Sequence, residues 1–265
     1  MSSTQVLFLG TGTSSGVPVA LCHCATCTSQ DPHDTRFNTS IMLIRDGFHL
    51  LVDAGPDFRH SALKFRVPRI DAVWITHTHF DHYGGLDYLR IYNYAQNAKI
   101  PLYIRATDLE YLQTKALNYL FTADPNEGGG ISQIMPELIN VDQSLKIGPF
   151  EIQPVETWHG KNLVCNLRVD QFAYLTDCSG IPDASLPKLG ALDTLVLSAL
   201  RYKSHRTHFA IEQSIAMTKL LAPRRTFFTH FAHDVLHQKL TLELNAQAPG
   251  LNILPAYDGL CLTIQ

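Results

Sequence analysis

The chain has 265 residues, of which 45% are hydrophobic and 17% charged, and its formal net charge is −3. A chain of this length and composition can bury a core without disulfides, as one large domain or two small ones. The negative charge argues against a nucleic-acid backbone binder, although a local basic groove stays open. No apolar run approaches membrane-spanning length and no signal-peptide pattern is present, so we expect a cytoplasmic location, where disulfides are rare.

The first predicted element is a strand at Val6–Leu9, followed by a glycine-rich loop from Gly10 to Gly16. Such a loop can cradle a phosphate, but this one lacks the lysine of a Walker loop and the spacing of a dinucleotide-binding motif. A tight turn near the functional site is therefore the favoured interpretation.

Three cysteines follow closely, at Cys22, Cys24 and Cys27. Thiolates at this spacing can converge on one ion, and tetrahedral zinc needs a fourth ligand, for which the neighbouring His23 is poorly placed. Two alternatives stay open: three unrelated free thiols, or a redox pair of Cys24 and Cys27. The redox pair lacks the surrounding βαβ pattern that is typical of such proteins.

A hairpin is predicted from the strands 39–44 and 48–52, joined by a two-residue turn at Asp46-Gly47. Asp53 directly follows the second strand. It is either a carboxylate that orients a metal-bound histidine or an ordinary residue at a strand end.

The densest group of metal-binding side chains comes after the apolar run 71–75, and it comprises His77, His79, Asp81 and His82. Imidazoles on alternate residues of an extended segment point the same way, and the residues after them fall on a turn that can reach a second ion. Imidazole and carboxylate together suit zinc, manganese or iron. The spacing differs from the i, i+4 pair of helical zinc sites.

Periodicity predicts the remaining elements. Helices are expected over 57–66, 85–95, 107–120 and 209–221. Strands are expected at 101–104, as two patterns within 138–152 around Lys146–Pro149, at 152–156, 166–169, 172–175, 192–197 and 225–228, and as a closing pair around Asp258-Gly259 within 254–264. Thr107 or Asp108 is the predicted N-cap of the helix over 107–120. Residues 121–137, which include Asn126–Gly130, are the candidate mobile loop over the site, and the segments 121–135 and 200–208 are expected to line the pocket.

The motif His77-x-His79-x-Asp81-His82 resembles that of the metallo-β-lactamase superfamily. The resemblance implies an α/β (α+β) fold, a four-layer αββα sandwich formed as a single domain over residues 1–265, and a two-metal hydrolase. It also implies three later ligands, at strand ends, which match His159, Asp177 and His230; Cys178 is a weaker match than its neighbour. One metal would bind His77, His79 and His159, the other Asp81, His82 and His230, with Asp177 between them.

Three further motifs are similar to the phosphoribosyl cyclic phosphate phosphodiesterases of the carbon–phosphorus lyase pathway: Gly-Thr-Gly-x-x-x-Gly-Val-Pro, Cys-x-Cys-x-x-Cys and a late His-x-x-His. The similarity runs from the first strand to about residue 235. It implies a structural zinc on Cys22, Cys24, Cys27 and His233. It also implies a histidine general acid, which matches His208, with His205 as the competitor.

The function implied by this resemblance is hydrolysis of small or cyclic phosphodiesters, such as phosphoribosyl cyclic phosphate, by a hydroxide that bridges two zinc, manganese or iron ions. Asp81 and His208 are the predicted catalytic residues. The expected partner is a small-molecule phosphodiester, without a membrane or nucleic acid, and the resemblance suggests a homodimer. The alternatives are a thioester or lactam hydrolase of the same fold and a non-enzymatic relative of quinone-cofactor biosynthesis proteins. A tRNA endonuclease would need a basic arm that is not evident.

Overall fold

The computed structural model describes residues 3–122 and 130–264. The strands are β1 (Thr4–Gly10), β2 (Ser40–Arg45), β3 (Phe48–Val52), β4 (Ala72–Trp74), β5 (Ile100–Ile104), β6 (Ile134–Leu138), β7 (Leu145–Ile147), β8 (Phe150–His159), β9 (Asn162–Val169), β10 (Phe172–Leu175), β11 (Thr194–Ser198), β12 (Arg225–Thr229), β13 (Ile253–Pro255) and β14 (Cys261–Ile264). The α-helices are α1 (Phe58–Lys64), α2 (Phe80–Tyr83), α3 (Arg90–Gln96), α4 (Ala106–Tyr111), α5 (Tyr119–Thr122), α6 (Ile211–Leu221) and α7 (His237–Gln247).

The described strands form two mixed sheets of seven strands each, in the orders β14-β1-β2-β3-β4-β5-β6 and β13-β12-β11-β10-β9-β8-β7. In the first sheet the strands from β3 to β6 run parallel, and in the second those from β10 to β13 do. The carboxyl ends of parallel strands meet at one edge of a sheet, where α/β proteins place their functional groups. The residues that follow β3, β4, β10 and β12 therefore gather at one end of the molecule.

Three apolar layers hold the sheets and helices together. Between the sheets lie large buried side chains such as Trp74 and Phe172. On the outer face of the first sheet, Val73 packs in a cluster with Phe58 of α1, and outside the second sheet the cluster includes Ile215 of α6 and Leu240 of α7. Each fully buried large apolar side chain contributes about 1.5–3 kcal/mol. The order of layers confirms the predicted αββα sandwich.

The predicted hairpin is confirmed. Strands β2 and β3 pair antiparallel, and both turn residues have positive φ, 50° at Asp46 and 77° at Gly47. This conformation matches the twist of the flanking strands and is typical of Asp-Gly turns.

The predicted N-cap of the helix after β5 is wrong. Helix α4 begins at Ala106, and the residue before it is Arg105. The Asp108 carboxylate accepts hydrogen bonds from Arg105 Nε at 2.7 Å and from the Thr78 hydroxyl at 3.1 Å. Asp108 therefore connects the helix to the 77–82 turn rather than capping the helix.

The expected closing strand pair is also wrong, although both strands exist. Strand β13 pairs with β12 in the second sheet, whereas β14 pairs with β1 in the first. The Asp258-Gly259 segment thus crosses between the sheets. Asp258 accepts hydrogen bonds from the Thr11 hydroxyl and the Phe37 amide, both at 2.7 Å, which fixes the crossing.

Of the predicted mobile loop, 121–137, residues 123–129 lie outside the described residues. The prediction is wrong at the end of this range, where β6 begins at Ile134 and pairs with β5. None of the described helices is both long and apolar enough to span a bilayer.

Candidate metal centres

The predicted ligands come together at the carboxyl ends of the strands. The turn after β4 carries His77, His79 and the α2 residues Asp81 and His82, while β8 ends at His159. Asp177 follows β10, and His230 follows β12. Two potential metal-binding groups result, and they consist of His77, His79, His159 and Asp177, and of His82, Asp177 and His230.

In the first group, the imidazole nitrogens face a common point. His159 Nε2 lies 3.2 Å from His79 Nδ1, and His77 Nε2 lies 3.9 Å from Asp177 Oδ1. His77 Nε2 is buried without a hydrogen-bond partner among the described residues. Two ligands about 2.1 Å from a tetrahedral ion lie about 3.4 Å apart, so the His79–His159 separation fits a shared ion.

In the second group, His82 Nε2 lies 3.1 Å from Asp177 Oδ2 and 3.3 Å from Asp81 Oδ2. His230 Nδ1 lies 3.3 Å from the same oxygen of Asp177. His82 Nε2, too, is buried without a hydrogen-bond partner in the described part of the chain. Asp81 therefore lies beside this group, as the sequence predicted.

Asp177 lies between the two groups and is itself buried. Its Oδ1 faces His77, whereas its Oδ2 faces His82 and His230. A carboxylate whose two oxygens face different sets of imidazoles can bridge two cations.

Hydrogen bonds on the far side of the rings determine which nitrogens face the ions. His82 Nδ1 lies 2.7 Å from Asp53 Oδ2, and the His159 Nδ1–H donates to the Thr207 carbonyl at 2.7 Å. Such outer contacts orient the ring and leave the other nitrogen free for metal. Of the two interpretations of Asp53, the carboxylate that orients a histidine is the one that the structure supports.

Two threonines that contact the histidines were not predicted. The Thr76 hydroxyl donates to Asp53 and lies 3.1 Å from His77 Nδ1. The Thr39 hydroxyl lies 3.1 Å from His230 Nδ1 and donates to the Gly12 carbonyl at 2.7 Å. Proximity to the histidine motif could have indicated the first, but no local pattern indicates the second.

The charges and the burial of these side chains favour the binding of cations. Burial lowers the pKa of His77 well below its usual value, which keeps this imidazole neutral. Burial opposes charge on His82 and Asp177 as well. Even so, the carboxylates of Asp177 and Asp53 raise the pKa of His82 well above normal, and His230 and His82 hold the pKa of Asp177 well below normal. A cation that binds here displaces the His82 proton, so metal affinity falls as the pH decreases.

His208 and His205 lie in different environments. The His208 ring is buried, 4.8 Å from the His230 ring and 4.6 Å from the His159 ring between centroids, and its Nδ1 has no hydrogen-bond partner among the described residues. Burial, and then the charge of His230, lower the pKa of His208 to about 3. His205 is exposed, with its ring centroid 5.2 Å from that of His208. The buried histidine is the one next to the predicted ligands.

The three clustered cysteines converge on His233, more than 200 residues away. Their Sγ atoms lie 3.2 Å (Cys22), 3.5 Å (Cys24) and 3.7 Å (Cys27) from His233 Nδ1. Zinc–sulfur and zinc–nitrogen bonds of about 2.3 and 2.1 Å with tetrahedral angles place sulfur and nitrogen about 3.6 Å apart. The group therefore fits a closed tetrahedral zinc site.

The pKa values of Cys24 and Cys27 are shifted in opposite directions. A hydrogen bond from the Cys27 backbone amide lowers the pKa of Cys24 to about 6, whereas burial raises the pKa of Cys27 to about 11. A bound cation favours all the thiolates, because thiolate is the form that binds metal.

A cavity of about 420 Å³ opens beside His79 and His159. Its polar lining includes Arg105, Asp108 and Lys161. None of the residues 200–208 contributes to this lining, contrary to the expectation for that loop.

Comparison with known proteins places these features in a family. Residues 49–231 match the family model described as a β-lactamase superfamily domain. The crystal structure of a diphosphatase from the PhnP family is 35% identical and superposes with a TM-score of 0.89, over 99% of this chain and 98% of the other.

Two curated relatives are longer proteins. An octanoyltransferase of Porphyromonas gingivalis is 33% identical over 97% of this chain, and the chain spans only 51% of its length. A ribonuclease Z of Treponema denticola is 35% identical over 33% of this chain and 30% of its own length. The octanoyltransferase name belongs to a protein about twice as long and does not carry over to this chain.

Proposed function

Because this chain belongs to the metallo-β-lactamase superfamily, whose fold implies bound divalent metal ions, we propose that it is a hydrolase of small or cyclic phosphodiesters with a dinuclear metal centre. The observation that carries the proposal is Asp177, whose two oxygens face separate sets of imidazole nitrogens. The diphosphatase and ribonuclease Z relatives, both named for phosphate chemistry, support phosphorus as the electrophile.

When bound, two divalent cations supply Lewis acidity toward phosphoryl oxygens and a reactive water at neutral pH. His77, His79 and His159 would hold one ion, and Asp81, His82 and His230 the other, with Asp177 shared between them. The imidazoles must be neutral to bind metal, and Asp53 and Thr207 hold the rings of His82 and His159 in the orientation this requires.

His208 is the group proposed to give a proton to the leaving oxygen. The ring must be protonated to do this, and the negative charge of a bound phosphate favours the protonated imidazole. The burial of this ring next to His159 and His230 supports it over His205.

The test is turnover by the metal-loaded protein. Protein reconstituted with Mn²⁺ or Zn²⁺ is expected to hydrolyse bis-p-nitrophenyl phosphate, and to leave nitrocefin, S-lactoylglutathione and an octanoyl thioester unchanged. If only a thioester or the lactam is hydrolysed, the proposed phosphodiesterase function is wrong and the protein is a thioester or lactam hydrolase. No turnover of any of them at full metal occupancy would favour a non-enzymatic member.

We further propose that the cysteine group holds a structural zinc. Cys24→Ala removes one of four ligands, and we expect one fewer zinc per chain, measured by plasma emission spectrometry on dialysed protein. Cys261→Ala, which replaces an exposed cysteine outside the group, is the control. An unchanged metal content in the Cys24 variant would reject the site.

Asp53→Asn tests the outer layer of the centre. The amide keeps the shape but loses the charge that faces His82 Nδ1, so we expect metal affinity to fall about 10–100-fold, the usual effect of losing such a partner. Competition with a chelator of known affinity measures it. The exposed Asp183, substituted in the same way, should retain wild-type affinity, and equal affinity in both variants would show that Asp53 has no orienting role.

A further inference from the structure

The cavity beside His79 and His159 borders only one of the two candidate metal groups. Its lining includes His77, His79 and His159, and does not include His82, His230 or His208. His208 meets the His159 ring edge-on and stacks on the His230 ring, and it lies outside the lining of this cavity. The predicted proton donor and the cavity therefore serve different parts of a substrate.

In a phosphodiester with two separate ester groups, this arrangement assigns the group that leaves and the group that stays. The oxygen that receives a proton from His208 belongs to the leaving group, so the group in the cavity is the one that stays attached to phosphorus. A volume of about 420 Å³ falls within the range of small-molecule sites and suits a group larger than a simple alkyl ester.

The two positively charged side chains that line the cavity, Arg105 and Lys161, differ in whether a carboxylate pairs with them. Arg105 is ion-paired with Asp108 at 2.7 Å and faces Glu156 at 3.7 Å. Lys161 is exposed and has no acidic side chain within ion-pair distance in the described part of the chain. The Lys161 ammonium is therefore available to bind a ligand, whereas the Arg105 guanidinium is already paired with Asp108.

The turn that carries Lys161 is held firmly. Gly160, at φ 65°, donates its backbone N–H to the Ser179 hydroxyl at 2.9 Å. A Cβ on this glycine would meet Thr207 Cγ2 at 2.8 Å, so the turn packs directly against the segment whose carbonyl orients His159. Lys161 is thus anchored at a fixed place relative to the metal ligands.

On the basis of the proposed phosphodiesterase function, we propose that Lys161 determines specificity by binding a second anionic group, carried by the part of the substrate that stays on phosphorus. The preferred substrates are then diesters in which the retained group has an additional phosphate or carboxylate. The leaving group does not need to carry a charge in order to be recognised.

Two nitrophenyl esters test this. Thymidine 5′-(p-nitrophenyl phosphate) and its 3′-phosphorylated form differ only in one phosphate on the retained nucleoside, because nitrophenol leaves in both. For the 3′-phosphorylated ester we expect Lys161→Met to raise KM about tenfold with little change in kcat, as for loss of one charge-assisted hydrogen bond. The unphosphorylated ester should be unaffected. Lys161→Arg should restore most of the preference, and Lys146→Met, at an exposed lysine of β7, is the matched control.

Calorimetry with thymidine 3′,5′-bisphosphate separates this inference from the proposed function. If neither ester is turned over, the phosphodiesterase proposal fails, while a tenfold weaker binding of the bisphosphate to Lys161→Met than to Lys146→Met still supports the anion site. Equal binding by the two variants, or equal KM changes for both esters, would overturn the role of Lys161.

Discussion

Replacing Asp177 with asparagine is expected to release both ions of the proposed dinuclear centre and to lower kcat/KM for a phosphodiester by at least about 10³-fold, well beyond the 10–100-fold loss typical of an outer-layer partner. The amide has the same shape, so packing is preserved and the change is one of charge. The variant loses the oxygen pair that faces His77 on one side and His82 and His230 on the other.

Metal content distinguishes this effect from unfolding. The cysteine group shares no residue with the two histidine and aspartate groups, so its proposed zinc should remain when the two other ions are lost, and the far-ultraviolet circular dichroism should not change. Asp183→Asn, at an exposed carboxylate six residues later, should behave as wild type. Retention of both ions with normal turnover would show that Asp177 is not a bridging ligand.

The sequence indicated the candidate ligands by two routes. His77, His79, Asp81 and His82 lie close together in one segment, whereas His159, Asp177 and His230 were implied by the resemblance to the metallo-β-lactamase superfamily, and His233 by the resemblance to the phosphodiesterases. The structure brings these residues together in the predicted groups, and Asp81 lies beside one of them. Asp177 and His230 follow parallel strands of one sheet, whose carboxyl ends meet at one edge.

Several contacts that orient the candidate ligands could not be predicted from the sequence. A backbone carbonyl such as that of Thr207 has no side-chain pattern, and Thr39 reaches His230 only through the packing of the two sheets. The cavity wall with Arg105 and Lys161 likewise combines two loops from different sheets.

The error at the carboxyl terminus has a similar cause. Two short strands around Asp-Gly predict a hairpin by local rules. Here Asp258 accepts hydrogen bonds from the Thr11 hydroxyl and the Phe37 amide, and these contacts direct the strands into different sheets. Tertiary contacts of distant residues therefore decided the pairing.

A second large effect is expected from His208→Ala, and it should depend on the leaving group. With a diester whose leaving group is an alkyl alcohol, which cannot depart without a proton, we expect kcat to fall about 10²–10⁴-fold, the range of general acid catalysis. With p-nitrophenol, which departs as a stable anion, the loss should be much smaller. The comparison of the two substrates thus isolates proton transfer from binding.

His205→Ala is the matched control, since it removes the same side chain from the same loop at an exposed position. If His208 is the donor, this variant should lie within about threefold of wild type with both substrates, as surface substitutions change little. If instead the His205 variant shows the leaving-group dependence, the donor has been misassigned. If His208→Ala slows both substrates equally, the imidazole acts by contacting the phosphoryl oxygens or by holding His159 and His230, whose rings it touches, and the leaving oxygen takes its proton from water.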